Sequence, residues 1–141
     1  DLDVIEGALA AEQEMKAAYK LVIDLNLLQS QTQALALDFF EHHKQHASML
    51  HQKIIKIGGN DIEKSLDYDF PVEDLKTEMD ILTFTADLEM SIATAYIDAI
   101  KGVKHQGLRY DITRTLAVET MHWATLRKLL GIKPVPFSFF S

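Results

Sequence analysis

Six ionisable side chains fall where the helical repeat of the sequence predicts apolar, core-facing positions. They are Glu12, His43, His46, Glu89, Glu119 and His122. Glu12, for example, follows Ala8 by four residues and precedes Met15 by three, which places it on the same helix face as both. Carboxylate oxygens and imidazole nitrogens together form a ligand set that suits Fe, Mn or Zn. The residue types therefore point first to metal binding.

Charge is the physical reason to expect a metal among these residues. A buried carboxylate without compensation is strongly unfavourable, and three of them close together also repel one another. No Lys or Arg occupies the apolar stripes at the level of these groups. A bound cation would provide the compensation. Because the chain has no cysteine, its ligands would be oxygen and nitrogen atoms alone.

The same positions recur along the chain, which indicates an internal repeat. Glu12 and Glu89 are separated by 77 residues, and His46 and His122 by 76. Three further pairs share these offsets: Tyr19 with Tyr96, His43 with Glu119, and Leu50 with Leu126. Five matching pairs predict two copies of one helical hairpin, related by a pseudo-twofold axis. Both tyrosines are expected to pack in the core.

Four segments carry the helical period that must position these groups. They span about residues 2–28, 31–57, 71–101 and 108–130. Ser30 and Gln33 have the spacing of a capping box, and Pro71 suits the first turn of the third helix. Gly58 and Gly131 favour left-handed helix ends.

The connections predict how the helices are arranged. Short links near Gln29 and His105 make each pair antiparallel, and a long connection over residues 60–70 joins the pairs. The sequence thus predicts an all-α four-helix bundle as a single domain over residues 1–141, with residues 132–141 as a non-helical tail. At 1.5 Å per helical residue, all six groups lie roughly 21–26 Å from the short links, in one layer of the core.

Composition excludes several functions. A formal charge of −7 over 141 residues does not favour nucleic-acid binding, which needs a basic face. No stretch of about 18 apolar residues exists, so we expect no membrane-spanning segment. The chain opens at Asp1 without an initiator Met, which leaves removal of a leader open and favours an exported or periplasmic protein over a cytoplasmic one.

The ligand pattern resembles that of the ferritin-like superfamily, the carboxylate-bridged dinuclear metal proteins that include ferritins and rubrerythrins. That family has one Glu on each of two helices and Glu-x-x-His on each of the other two. Glu12 and Glu89 match the single glutamates, and Glu119 with His122 matches one Glu-x-x-His. The resemblance covers nearly the whole chain. It implies one or two ions per chain, with iron first and manganese or zinc as alternatives.

The resemblance also implies an activity, namely redox chemistry of the ferroxidase or peroxidase type with oxygen, peroxide or Fe(II). The Gly58-Gly59 pair and the proline-containing tail are similar to one bacterial, often exported, branch of ferritin-like domains. The oligomeric state is left open, with a homodimer as one possibility. A hollow cage is not expected, because the tail is too short for the additional short helix of cage ferritins.

The second helix departs from the family pattern. His43-Lys44-Gln45-His46 stands where the family has Glu-x-x-His, so an imidazole replaces a carboxylate that usually bridges two metals. An imidazole ligates one metal through one nitrogen. Glu41 does not substitute for the missing carboxylate, since it lies about 200° away around the helix. Three interpretations of this departure stay open: a mononuclear site, a weakened second site, and a metal other than iron.

Three functions are compatible with the sequence. The first is a metal-dependent redox protein. The second is a protein that binds metal without turnover, such as a store, a buffer or a structural zinc site. The third is a non-metallic interaction bundle that has kept former ligands.

Overall fold

The computed structural model describes residues 1–61 and 67–140, and the regular structure of these residues is helical. Four α-helices follow the predicted order: α1 (Leu2–Asp24), α2 (Ser30–Lys56), α3 (Glu78–Gly102) and α4 (Gln106–Leu129). A short 3-10 helix, Val72–Asp74, precedes α3. Residues 62–66 of the predicted long connection lie outside the described residues. None of the helices in the described ranges combines the length and the apolar character needed to cross a bilayer.

The chain forms two compact units, Asp1–Asp74 and Leu75–Ser141. In the first unit α1 packs on α2, and in the second α3 packs on α4. Each pair is joined by a short link, so each unit contains one antiparallel helical hairpin, as predicted.

The first hairpin is held by a buried stripe on each helix. On α1 the buried positions recur every three or four residues: Ile5, Leu9, Glu12, Met15, Ala18, Tyr19 and Val22. On α2 they are Ala36, Phe39, His43, Ala47, Leu50 and Ile54. Burial of one large apolar side chain contributes about 1.5–3 kcal/mol. Packing of these stripes, more than helix propensity, therefore stabilises the pair.

The second hairpin repeats this design. The buried positions of α3 are Ile81, Leu82, Thr85, Ala86, Glu89, Ile92, Ala93 and Tyr96. Those of α4 are Leu108, Asp111, Ile112, Thr115, Glu119, His122, Trp123 and Leu126. The two buried threonines turn their hydroxyls onto their own helices, since Thr85 Oγ1 donates to the carbonyl of Ile81 and Thr115 Oγ1 to that of Asp111. The other buried polar side chains of this hairpin are Glu89, Asp111, Glu119 and His122.

The start of α3 corrects the prediction. The helix begins at Glu78 rather than at Pro71, and Thr77 is its N-cap. The Thr77 hydroxyl oxygen accepts a hydrogen bond from the backbone N–H of Asp80, and the Asp80 carboxylate accepts one from the N–H of Thr77. This reciprocal pair is a capping box. The hydrogen bond from the Thr77 side chain, followed by the backbone N–H of Lys76, holds the pKa of Asp80 below its usual range.

Two other helix ends also differ from expectation. The capping box predicted for Ser30 and Gln33 is wrong, because Gln29 has the extended N-cap conformation and Ser30 is already helical. The first helix ends at Asp24 rather than near Leu28, and Asn26 follows with a positive φ of 54°. A helix starts directly after the residue whose backbone is extended, and residue type alone does not determine which residue that is.

The predicted glycine ends are confirmed. Gly58 has a φ of 86° and Gly131 a φ of 74°, both in the left-handed region that favours glycine. The neighbouring Gly59 is required for another reason. A Cβ atom there would lie 2.6 Å from Ile54 Cγ2 and 2.8 Å from Leu2 Cδ1.

The tail after α4 packs back on that helix through aromatic rings. Phe137 stacks on Trp123 with ring centroids 5.5 Å apart, and Phe140 meets the same ring edge-on at 5.1 Å. The Arg127 guanidinium lies 4.8 Å from the Trp123 ring, and its Nε donates to the backbone carbonyl of Lys133. These contacts fix the tail without regular structure.

Candidate metal centre

In the first hairpin the structure brings together three of the predicted residues, here called the first half-site: Glu12, His43 and His46. The Glu12 carboxylate accepts a hydrogen bond from His43 through its Oε2, at 2.8 Å from Nδ1. Its other oxygen, Oε1, lies 3.4 Å from His46 Nδ1. The side chains of Glu12 and His43 are fully buried, and that of His46 is 13% exposed. One carboxylate therefore faces two imidazoles.

Helix periodicity explains why these groups meet. Glu12 is part of the α1 stripe that continues through Met15, and His43 lies in the α2 stripe between Phe39 and Ala47. His46 follows His43 by three residues, so both rings project from nearly the same side of α2. Their ring centroids are 5.9 Å apart and their planes nearly perpendicular, at 89°.

The second half-site consists of Glu89, Glu119 and His122 in the second hairpin. His122 Nδ1 lies 3.3 Å from Glu89 Oε1 and 3.4 Å from Glu119 Oε2. Both glutamates are fully buried, and the histidine side chain is 3% exposed. Glu119 and His122 are related by three residues on α4, while α3 contributes Glu89. Here one imidazole faces two carboxylates.

The distances within each half-site match those between ligands of a single ion. Ligand oxygens and nitrogens lie about 2.0–2.2 Å from a divalent ion, so neighbouring ligand atoms at octahedral or tetrahedral angles are roughly 2.8–3.6 Å apart. The four carboxylate–imidazole distances run from 2.8 to 3.4 Å. Within each half-site, one potential ligand atom per residue lies within 4.8 Å of the others. The donor sets fit a metal ion in both chemistry and spacing.

The electrostatics of the second half-site also favour a cation. Desolvation by burial alone would lower the pKa of His122, but interactions with Glu119 and Glu89 outweigh it and raise this pKa above its usual value. The imidazole therefore keeps its proton to a higher pH than an ordinary histidine does. A metal ion at the same nitrogen would replace that proton and bring a larger positive charge.

One aromatic ring, that of Tyr19, packs against a residue of the first half-site. Tyr19 stacks on His43 with ring centroids 5.3 Å apart and an interplanar angle of 28°, and Phe39 meets Tyr19 edge-on at 6.1 Å. Tyr19 is almost completely buried, as is Tyr96 in the second hairpin, which confirms the prediction that both pack in the core. The stack with His43 was not predicted, because periodicity gives the buried face of a helix but not which rings meet.

Sequence reasoning also missed Asp111. Its side chain is buried in α4, where Arg114 Nη2 approaches Oδ1 to 3.0 Å. The signal was present in the sequence, since Asp111, Thr115 and Glu119 follow one another at intervals of four residues. This carboxylate has its own cationic partner and is distinct from the second half-site.

Known proteins with the same fold are found by sequence family and by structure. Residues 1–132 match the ferritin-like domain family. A conserved hypothetical protein from Mycobacterium tuberculosis has a TM-score of 0.82 and 16% identity, over 91% of this chain and 95% of that one. A ferritin-like, diiron-carboxylate protein from Bacillus anthracis has a TM-score of 0.78 and 17% identity, over 92% of this chain and 94% of that one. No curated protein matches the sequence significantly.

These similarities confirm the predicted fold class, an all-α four-helix bundle of ferritin-like type built from two hairpins. The matched residues include both hairpins and all six predicted ligand positions. The chain belongs to the ferritin-like domain family.

Proposed function

We propose that this protein binds iron or manganese through the two half-sites and carries out redox chemistry with oxygen, peroxide or Fe(II). The observation that carries the proposal is the pair of buried three-donor sets, each with the spacing of ligands on one ion. Membership of the ferritin-like family and the fold shared with a protein described as diiron-carboxylate support it. A bound iron or manganese ion would supply the redox and Lewis-acid chemistry.

The chain's own residues would contribute binding, neutralisation and exclusion of water. Glu12, Glu89 and Glu119 are fully buried, so their negative charges act on a cation at low effective dielectric. The imidazoles would bind through Nδ1, the nitrogen that faces a carboxylate in each half-site. The raised pKa of His122 lets the imidazole keep its proton to a higher pH than an ordinary histidine, and a bound cation would displace that proton.

The test measures the metal content of the protein and then its rate of Fe(II) oxidation or peroxide loss. The purified protein is stripped with a chelator, reloaded anaerobically with Fe(II) or Mn(II), and desalted before elemental analysis. We expect one or two ions per chain, and a rate of Fe(II) oxidation or peroxide loss above that of the free ion. Failure to retain either ion would overturn the proposal.

Glu119→Gln is the informative variant, because it keeps the shape of the side chain but removes a buried charge. We expect it to lose metal at the second half-site. Glu41→Gln is the matched control, since Glu41 is half-exposed and pairs with Lys44 at 2.8 Å on the surface. The control is expected to retain full metal content.

A second candidate function is metal binding without turnover, and one observation favours it. His43 occupies the position of a usual bridging carboxylate, so the centre lacks one ligand that dinuclear redox sites share between two ions. This alternative predicts stoichiometric metal with no acceleration of Fe(II) oxidation or peroxide loss. A non-metallic interaction bundle would instead retain no metal, and its metal-free form would become more stable in Glu119→Gln because repulsion between Glu89 and Glu119 is relieved.

A further inference from the structure

We infer that Tyr19 is a positioning residue for metal binding, whose ring fixes the plane of the His43 imidazole before an ion binds. This role rests on the proposed metal-binding function and extends it to a side chain that is not itself a ligand. The phenol ring acts through His43, whose Nδ1 lies 2.8 Å from the Glu12 carboxylate.

The rotamer preferences of a histidine leave the plane of its ring undecided. The torsion that turns the ring joins an sp³ to an sp² carbon, and its energy wells are broad and roughly two-fold. His43 is completely buried, so the packing around the ring sets this angle. A metal–ligand bond tolerates a deviation of only about 0.2 Å in length. A ring that is already held in one plane therefore loses less freedom when it binds an ion.

Two residues of α1 constrain the His43 ring in complementary ways. Glu12 accepts the hydrogen bond from Nδ1 and so determines which edge of the ring faces the carboxylate. Tyr19 stacks on the ring face, with centroids 5.3 Å apart and an interplanar angle of 28°, and so determines the plane. Both residues belong to the buried stripe of α1, seven positions apart. A single helix thus supplies both constraints.

The Tyr19 ring is itself held in place. It is almost completely buried, and Phe39 meets it edge-on with centroids 6.1 Å apart and an interplanar angle of 80°. Edge-to-face and offset-stacked arrangements are the preferred geometries of aromatic pairs. Phe39 precedes His43 by four residues on α2, so the helix that carries the ligand also supports the ring stacked on that ligand.

The internal repeat provides a control position for the loss of a buried aromatic ring. Tyr96 corresponds to Tyr19, and the two side chains are equally buried. The residue that corresponds to His43 is Glu119, whose carboxylate has no ring face for stacking. Removal of the ring at position 96 therefore measures the effect of lost packing without the pairing of tyrosine and histidine within one hairpin.

Zinc affinities of matched variants test the role of the ring. Tyr19→Phe keeps the ring and Tyr19→Leu removes it, and the same two substitutions are made at Tyr96. The Kd of zinc, which is redox-inert and accepts carboxylate and imidazole ligands, is measured for each variant by competition with a chelator. We expect the Kd of Tyr19→Leu to exceed that of Tyr19→Phe by roughly 10–100-fold, as for other residues that orient metal ligands. A ratio at position 19 no larger than the ratio at position 96 would overturn the inference.

The wild type alone provides a second measurement, which is decisive even if Tyr19→Leu does not fold. Nuclear Overhauser effects between the ring protons of Tyr19 and His43 are recorded in the metal-free and in the zinc-loaded protein, since zinc is diamagnetic. We expect the same effects in both forms, because a ring that is positioned beforehand does not turn when the ion binds. Loss of these effects on loading would overturn the inference, since the stacked ring would then not be the metal-binding conformation.

The outcomes distinguish the role of Tyr19 from the proposed function. A wild type that binds zinc, with equal losses of affinity at positions 19 and 96, would reject the role of Tyr19 and leave metal binding intact. A wild type that retains manganese or iron but no zinc would also reject this role alone, because a positioned imidazole is expected to bind zinc. Retention of none of the three ions would reject both.

Discussion

A proton and a metal ion would compete for the same atom in the second half-site, the Nδ1 of His122. Its raised pKa, above the usual 6.5, results from Glu119 and Glu89 acting against desolvation. A histidine whose pKa is raised by folding stabilises the metal-free fold most below the pKa of the unfolded state. That contribution is lost as the pH rises through the folded pKa. Metal binding follows the opposite trend, because the ion must displace the proton.

This competition predicts a pH dependence of metal affinity. Between pH 6 and the raised pKa, the apparent affinity of the second half-site is expected to increase by up to about tenfold per pH unit. Calorimetric titration of His46→Ala in two buffers of different ionisation enthalpy measures the protons released. Release is expected to approach one per ion at the lower pH. His122→Ala provides the comparison, and an equal proton release from it would contradict the assignment to His122.

At the scale of the helices, the glycines divide into those that the fold requires and those that it tolerates. Gly59 closes the end of α2 where a Cβ atom would lie 2.6 Å from Ile54 Cγ2 and 3.1 Å from the Ile54 carbonyl oxygen. Gly7 lies in the second turn of α1, and a Cβ atom there would have no neighbour within 4 Å. Replacing glycine by alanine should therefore lower the free energy of unfolding at position 59 and raise it at position 7.

Gly59→Ala is expected to destabilise the chain, since backbone and two side chains would have to shift. Overpacking of this kind costs about 1–3 kcal/mol. Gly7→Ala is expected to stabilise it by up to about 1 kcal/mol through helix propensity. Denaturant unfolding of the two variants beside the wild type measures both. Destabilisation by Gly7→Ala would mean that space around α1 is tighter than the structure indicates.

The helices themselves were predictable because their apolar stripes repeat, but the start of α3 was not. Pro71 has the residue type of a first turn, yet the capping box of Thr77 and Asp80 begins α3 after it. The Thr-x-x-Asp pattern before Ile81 was visible in the sequence and was the stronger signal, because it satisfies two backbone N–H groups at once. Ser30 failed as a cap because the extended backbone lies one residue earlier, at Gln29.

The candidate site was predictable to the level of residue choice. The 77- and 76-residue offsets identified all six side chains that the structure brings into the two half-sites. What periodicity could not supply was the contact partner of each atom. The stacking of Tyr19 on His43 depends on ring orientation, which tertiary packing sets.

At the scale of the whole molecule, metal binding should appear as stability. An ion that binds only the folded state stabilises it by RT ln(1 + [M]/Kd), which is about 2.7 kcal/mol at a free concentration 100 times the Kd. We expect the Tm of the stripped protein to rise with added Mn(II) or Zn(II) and to fall again with a chelator. The chain has a formal net charge of −7, so magnesium at equal ionic strength is the control for screening. An equal rise with magnesium would attribute the effect to general charge neutralisation.

The aromatic packing of the tail gives the protein an optical property of its own. Trp123 is the single tryptophan of the chain and directly follows His122. Its indole is enclosed by Phe137, Phe140 and the Arg127 guanidinium. Copper(II) quenches nearby indole fluorescence and zinc does not, so filling of the neighbouring site by one ion or the other gives different emission from the same unlabelled chain. Release of the tail would instead shift the emission to longer wavelength, which separates the two events in a single spectrum.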